Sequence, residues 1–139
     1  MIVGVGNDIV EINRINLIYN KFGEKFLKKL YTRNEINFFY QNKSRLFYRV
    51  ANRFAAKEAF YKALNHNKKS RIPSFKDVEI LNAKGGKPYI NISNTAKNLC
   101  LELIPNGCSY KVHLSISDER HYAYAIVIIE SLKNDKEKK

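Results

Sequence analysis

Arg53-Phe54-Ala55-Ala56-Lys57-Glu58-Ala59-Phe60-Tyr61-Lys62-Ala63-Leu64 is the stretch from which the rest of the chain is read. It forms the second half of one long helix beginning near Lys43 or Ser44, because Phe47, Val50, Ala51, Phe54 and Ala55 recur with helical spacing. At roughly 100° per residue these side chains share one stripe. Glu58 falls near the middle of that stripe, where an unpartnered carboxylate is strongly disfavoured or protonates, so a cation is expected to meet it. Arg49, Arg53 and Lys57 line an adjacent face. Glu58 and Lys62 also stand at i and i+4 in the order of an ordinary surface ion pair. Taken alone, this helix is compatible with a solvated charged face or with a charged site.

The 139 residues suffice for one domain with its own hydrophobic core. Lys and Arg number 25 against 13 Asp and Glu, a formal charge of +12 that points to an anionic partner: nucleic acid, an acidic membrane surface, a phosphorylated small molecule or an acidic protein. No nucleic-acid motif accompanies the charge, and the basic residues are spread along the whole chain, so nucleic acid is the weaker choice. Cys100 and Cys108 lack metal-ligand spacing and read as buried free thiols. The opening Met1-Ile2-Val3-Gly4-Val5-Gly6 has neither the charged start nor the long apolar run of a signal peptide, and no stretch approaches transmembrane length. The expectation is a cytoplasmic protein with no membrane insertion.

Residues 2 to 10 are β-branched and interrupted by Gly4 and Gly6, which suggests a strand closely approached by another backbone or a ligand. Asp8 ends this strand and reads either as the N-cap of the next helix or as a cation ligand on a rigid edge. One or two short helices follow through residue 30, broken near Gly23, with Arg14 projecting from the first. Thr32-Arg33-Asn34-Glu35 is a capping box opening a short helix. The long helix ends in the polar run Asn65-His66-Asn67-Lys68-Lys69. Beyond Pro73 the period becomes strand-like. Residues 77 to 81 and 87 to 92 flank a hairpin turn, Ser93 caps a helix ended by Pro105-Asn106-Gly107, and strands at 110 to 117 and 122 to 130 close the chain. The expected fold is α+β: a mostly antiparallel sheet of about five strands packed around one long central helix. Residues 1 to 130 form the single domain, and 131 to 139 a disordered charged tail.

Three segments resemble the bacterial holo-[acyl-carrier-protein] synthase family, the small 4'-phosphopantetheinyl transferases. Gly4-Val5-Gly6-Asn7-Asp8-Ile9-Val10-Glu11-Ile12-Asn13-Arg14-Ile15 is similar to that family's opening strand. Residues 53 to 64 match its central signature. Gly86-Lys87-Pro88, Leu114-Ser115-Ile116-Ser117 and Tyr122-Ala123-Tyr124-Ala125 follow in the family's order. The resemblance covers essentially residues 1 to 130.

It implies transfer of 4'-phosphopantetheine from coenzyme A to a serine of apo acyl carrier protein, releasing adenosine 3',5'-bisphosphate, for fatty-acid biosynthesis. It implies Mg²⁺ held by Asp8 and Glu58, a homotrimer with sites between subunits, and Arg14 facing the acidic carrier. Lys62 is assigned to the attacked phosphate and, with Glu58, to catalysis. Arg53 and Lys57 are candidates for the other phosphates. Gly85, Gly86, Lys87 and Pro88 read either as a plain hairpin or as a turn whose backbone N–H groups meet the nucleotide. The chain has Asp118 where many relatives carry histidine, so that role is lost or passes to another group such as His121. The general base stays unassigned, and Glu58 orienting a water is the simplest arrangement.

Overall fold

In the computed structural model, which describes residues 1–64 and 73–134, the β-branched N-terminal stretch forms strand β1 (Ile2–Glu11). It runs past Asp8, so Asp8 is not a helix cap; Glu11 occupies the N-cap of α1 (Ile12–Phe22) and makes no side-chain cap bond. Gly23, with φ of 60°, separates α1 from α2 (Glu24–Leu30). Both halves of the Thr32/Glu35 capping box are present at the start of α3 (Arg33–Tyr40). A 3₁₀ turn, Lys43–Arg45, leads into α4 (Leu46–Ala63). The polar run expected to end this helix, His66 included, lies outside the described residues.

The hairpin follows as β2 (Val78–Asn82) and β3 (Pro88–Ile92). Its turn carries Gly85 and Gly86 at φ of 90° and 88°, which side-chain-bearing residues rarely adopt. Ser93 precedes α5 (Asn94–Leu103) at the cap position without making the expected side-chain bond. β4 (Cys108–Asp118) and β5 (Tyr122–Lys133) are longer than the sequence periodicity indicates. β5 passes the expected domain boundary at 130, and Ser131 N–H donates to the Met1 carbonyl at 2.7 Å. Residues 135–139 of the expected tail lie outside the described residues. Cys100 is buried, Cys108 only partly so, and both are free.

Among the described residues, the five strands pair antiparallel in two sheets: β1-β5-β4, and the hairpin β2-β3. β3 lies beside β4 with no ladder between them. They meet instead through side chains, Ile90 and Ile92 joining the same core as Val112, Leu114 and Ile116.

α4 lies across the β1 and β5 side of the three-stranded sheet. Its second half packs Ala55, Ala56, Ala59, Phe60 and Ala63 against Val127, Ile129 and the hairpin, while Val50 and Ala51 pack with Ile15, Leu27, Tyr31 and Phe39 of the first three helices. Helix and strand come so close because neither offers side-chain bulk at the contact. A Cβ on Gly4 would lie 2.0 Å from the Ala63 carbonyl oxygen, and one on Gly6 would lie 2.0 Å from that of Ala59. The backbone approach expected of these glycines is thus made by α4.

Gly6→Ala therefore drives a methyl into backbone that no rotamer change can relieve. A loss of about 1–3 kcal/mol or more is expected, read as a lowered urea midpoint at unchanged slope.

Candidate functional site

The glycine contacts place the charged groups. Along β1, Gly4 sits on Ala63 and Gly6 on Ala59. Side chains alternate across a strand, so Asp8 is the next residue turned toward α4. Glu58 and Lys62, one turn apart on α4, flank the line of contact. Lys62 Nζ donates to Asp8 Oδ1 at 2.9 Å, its own side chain half exposed and Asp8 mostly covered. Glu58 is half-buried, and its pKa is raised first by desolvation and then by the neighbouring Asp8 carboxylate, with Lys62 opposing. Asp8, Glu58 and Lys62 therefore form one cluster drawn from two elements far apart in sequence.

The expected core-facing stripe holds at Val50, Ala51 and Ala55 and is corrected at Phe47, Phe54 and Glu58. α4 is buried on nearly all sides, Ala55, Ala56, Lys57 and Ala59 included, whereas Phe47, Phe54 and Glu58 are only partly covered. The ion in the interior is Lys57, fully buried, and it is not presented to a phosphate as expected. Its ammonium donates to Glu35 Oε1 at 2.7 Å, Phe75 O at 2.8 Å and Leu30 O at 3.1 Å. Three acceptors are the full complement of a charged lysine. Burial lowers its pKa and Glu35 opposes that shift.

Arg53 is also buried. Its guanidinium lies 4.1 Å from the Phe38 ring centroid and donates to Asn82 Oδ1 at 3.1 Å, while its Nε is buried without a partner. Burial pushes its pKa down to about 10, which leaves it charged at neutral pH. It faces the end of the hairpin, away from Asp8.

The glycine turn lies elsewhere again. Lys87 and Pro88 line a groove of about 360 Å³ with Tyr89, Lys111, Val112 and His113. β1 and β4 are opposite edges of their sheet, about 10 Å apart across β5. Within one chain, Gly85, Gly86, Lys87 and Pro88 are not brought to the Asp8 cluster. Arg14 is exposed on α1. Asp118 accepts from Asn52 Nδ2 at 2.8 Å and lies 3.5 Å from Arg45 Nη2, while His121 lines a separate cavity with Asn13, Asn16, Tyr48 and Arg120. His113 pairs with Glu130.

The Lys57–Glu35 pair escaped the sequence reading. Its signal was a lysine directly after two alanines in Ala55-Ala56-Lys57 and a capping-box glutamate with acceptor capacity left over.

The donor set of the cluster is two carboxylates, and among the described residues no group of three or more His, Cys, Asp or Glu side chains could hold a metal. Mg²⁺ takes one or two carboxylates and completes its shell with phosphate oxygens and water, so the residues present fit that ion. No helix among the described residues is long and apolar enough to cross a membrane.

Residues 4–127 match the family described as the 4'-phosphopantetheinyl transferase superfamily. The chain is 45% identical over 130 residues to the holo-[acyl-carrier-protein] synthase of Halothermothrix orenii, covering 94% of this chain and 98% of that one. It is similar in structure to the holo-(acyl-carrier-protein) synthase from Bacillus anthracis in complex with CoA (3',5'-ADP), with TM-score 0.74, 39% identity and coverage of 94% and 98%. A second solved structure, the holo-[acyl-carrier-protein] synthase from Neisseria meningitidis, gives TM-score 0.76 at 37% identity, with 94% and 99% covered.

The raised pKa of Glu58 has a measurable sign. A carboxylate held above its unfolded value contributes stability below the unfolded pKa and loses it as pH rises through the folded one. In metal-free buffer Glu58→Gln should match the parent near about pH 4 and melt higher than it near about pH 8, as followed by circular dichroism. A lower melting temperature at the alkaline end would contradict the crowding of the two acids.

Proposed function

Since this chain belongs to the 4'-phosphopantetheinyl transferase superfamily, we infer that it transfers the 4'-phosphopantetheine group from coenzyme A to a serine of apo acyl carrier protein. The observation that carries the assignment of the site is the convergence of Asp8, Glu58 and Lys62 where the glycine strand meets α4. The serine oxygen attacks the phosphorus that bears pantetheine. The bond from that phosphorus to the bridging oxygen breaks, and adenosine 3',5'-bisphosphate leaves with the electron pair. The serine proton passes to a water oriented by Glu58.

Such a transfer depends on positioning and on neutralising charge at the diphosphate. Lys62 has a mobile ammonium that exchanges Asp8 for the phosphate under attack. Asp8 and Glu58 would hold Mg²⁺, which when bound would offset negative charge on the diphosphate. Arg53 keeps its charge under burial and, with Gly85, Gly86, Lys87 and Pro88, forms a second half of the coenzyme A site at the hairpin. Lys57 is withdrawn from that role, since all its donors are used internally.

The separation of the two halves within one chain supports the reading that the complete site forms between subunits of a homotrimer. The surface available for assembly is the face of the three-stranded sheet turned away from α4. There Val5, Ile9, Tyr122 and Tyr124 are exposed together, a row of large apolar side chains that favours a protein partner. Arg14 contacts the acidic carrier. Close by, Ile18, Phe22, Phe26 and Leu30 line an apolar groove edged by Lys25 and Lys29, which suits an acidic amphipathic partner. The role is fatty-acid biosynthesis in the cytoplasm.

Incubated with coenzyme A, Mg²⁺ and an apo carrier protein, the chain should raise the carrier's mass by one phosphopantetheine. Glu58→Gln should lower kcat/KM by about 10²-fold or more. Folded enzyme that leaves several carriers unmodified would refute the transfer. Light scattering should give the mass of three chains, and Ile9→Glu should reduce it together with the activity.

A further inference from the structure

A buried ion pair that touches neither Asp8 nor Glu58 ties α4, the helix that carries Glu58, to three other segments of the fold. Glu35 Oε1 accepts from Thr32 N at 3.0 Å and from Lys57 Nζ at 2.7 Å, while Glu35 Oε2 accepts from Ile80 N at 3.2 Å. Lys57 in turn donates to Leu30 O at the end of α2 and to Phe75 O just before β2. Both side chains are 0% exposed. Four segments therefore meet at one charge pair: the α2–α3 junction, α4, the turn at Phe75 and β2. Lys57 is adjacent to Glu58 on α4, and Ile80 lies on the strand that leads into the Gly85–Gly86 turn.

The geometry has a reason beyond holding the core. α4 meets β1 through alanine and glycine, a contact that sets distance closely but supplies no directional bond about the helix axis. One residue of rotation, roughly 100°, would replace Glu58 by a neighbour beside Asp8. A buried charge with three directional bonds resists such rotation, because turning α4 strands an ion in the interior.

We propose that Lys57 and Glu35 are positioning residues of the transferase. Their ion pair fixes the azimuth of α4 so that Glu58 faces Asp8, and the same carboxylate anchors β2 and with it the turn. The proposal rests on the transfer reading above and adds a role for two residues that meet neither substrate nor metal.

The test uses Glu35→Gln/Lys57→Gln, which removes both charges but keeps hydrogen-bonding groups at both positions, and Lys57→Arg, which keeps the charge on a longer side chain. Thermal melts establish that each variant is folded at the assay temperature. Mn²⁺ binding in the presence of coenzyme A, followed by electron paramagnetic resonance, is measured beside kcat. Apparent affinity falls with the fraction of competent protein, so the titration is run well below each variant's melting transition, where it separates positioning from simple loss of stability. A fall of about tenfold or more in both Mn²⁺ affinity and kcat, as is typical when groups that orient metal ligands are removed, is expected of whichever variant folds. Folded variants that keep Mn²⁺ affinity and kcat within about twofold of the parent overturn the proposal. If the parent itself transfers nothing, the transfer reading falls, and Mn²⁺ affinity alone decides the positioning role.

Discussion

Two glycines and two alanines at van der Waals distance govern the architecture. Because Gly4 and Gly6 lack side chains, the carbonyls of Ala63 and Ala59 can rest almost on the backbone of β1. A helix seated that low brings the functional ends of Asp8, Glu58 and Lys62 within reach of one another, since these short and long side chains all start from one seam. Were the gap opened by a single methyl, the carboxylates would separate by a comparable distance, and the balance of attraction and repulsion recorded in the Glu58 shift would weaken. Site geometry here follows from packing density.

The same helix divides its charges by environment. Lys62 and Glu58 sit where α4 meets β1, partly in water. Lys57 is sealed inside with Glu35, and Arg53 is sandwiched between Phe38 and the hairpin. Desolvating an ion pair costs roughly what its attraction returns, so the interior pair contributes little net stability compared with a well-packed apolar pair. Its value lies in direction: three bonds from one ammonium admit one orientation. The partly exposed charges of the seam and the buried charges of the interior are thus neighbours on one helix.

Within a single chain the two groups of residues assigned to the transfer lie apart. The acids lie at the β1 edge of the sheet, while the glycine turn and its groove lie against β4, with β5 between. An apolar sheet face is left uncovered between these edges. Both facts are what the proposed assembly of copies was inferred from.

Local interactions were legible in the sequence. The capping box at Thr32 and Glu35, the break at Gly23, the hairpin and the close approach at Gly4 and Gly6 each depend on residues near in sequence or on the absence of a side chain. The family resemblance likewise paired Asp8 with Glu58, whereas the bond from Lys62 to Asp8 appeared only in the fold. Helical periodicity, by contrast, assigned the buried charge to Glu58 when it belongs to Lys57. Periodicity finds the inward face only when a helix has one apolar side, and α4 is enclosed on nearly all of them. Which charge goes inside was decided by Glu35, Leu30 and Phe75, acceptors that other segments supply only once the chain has folded. The five antiparallel strands could be read from alternation and turns, but their division into two sheets required the contact of β3 with β4, where side chains meet and backbones do not.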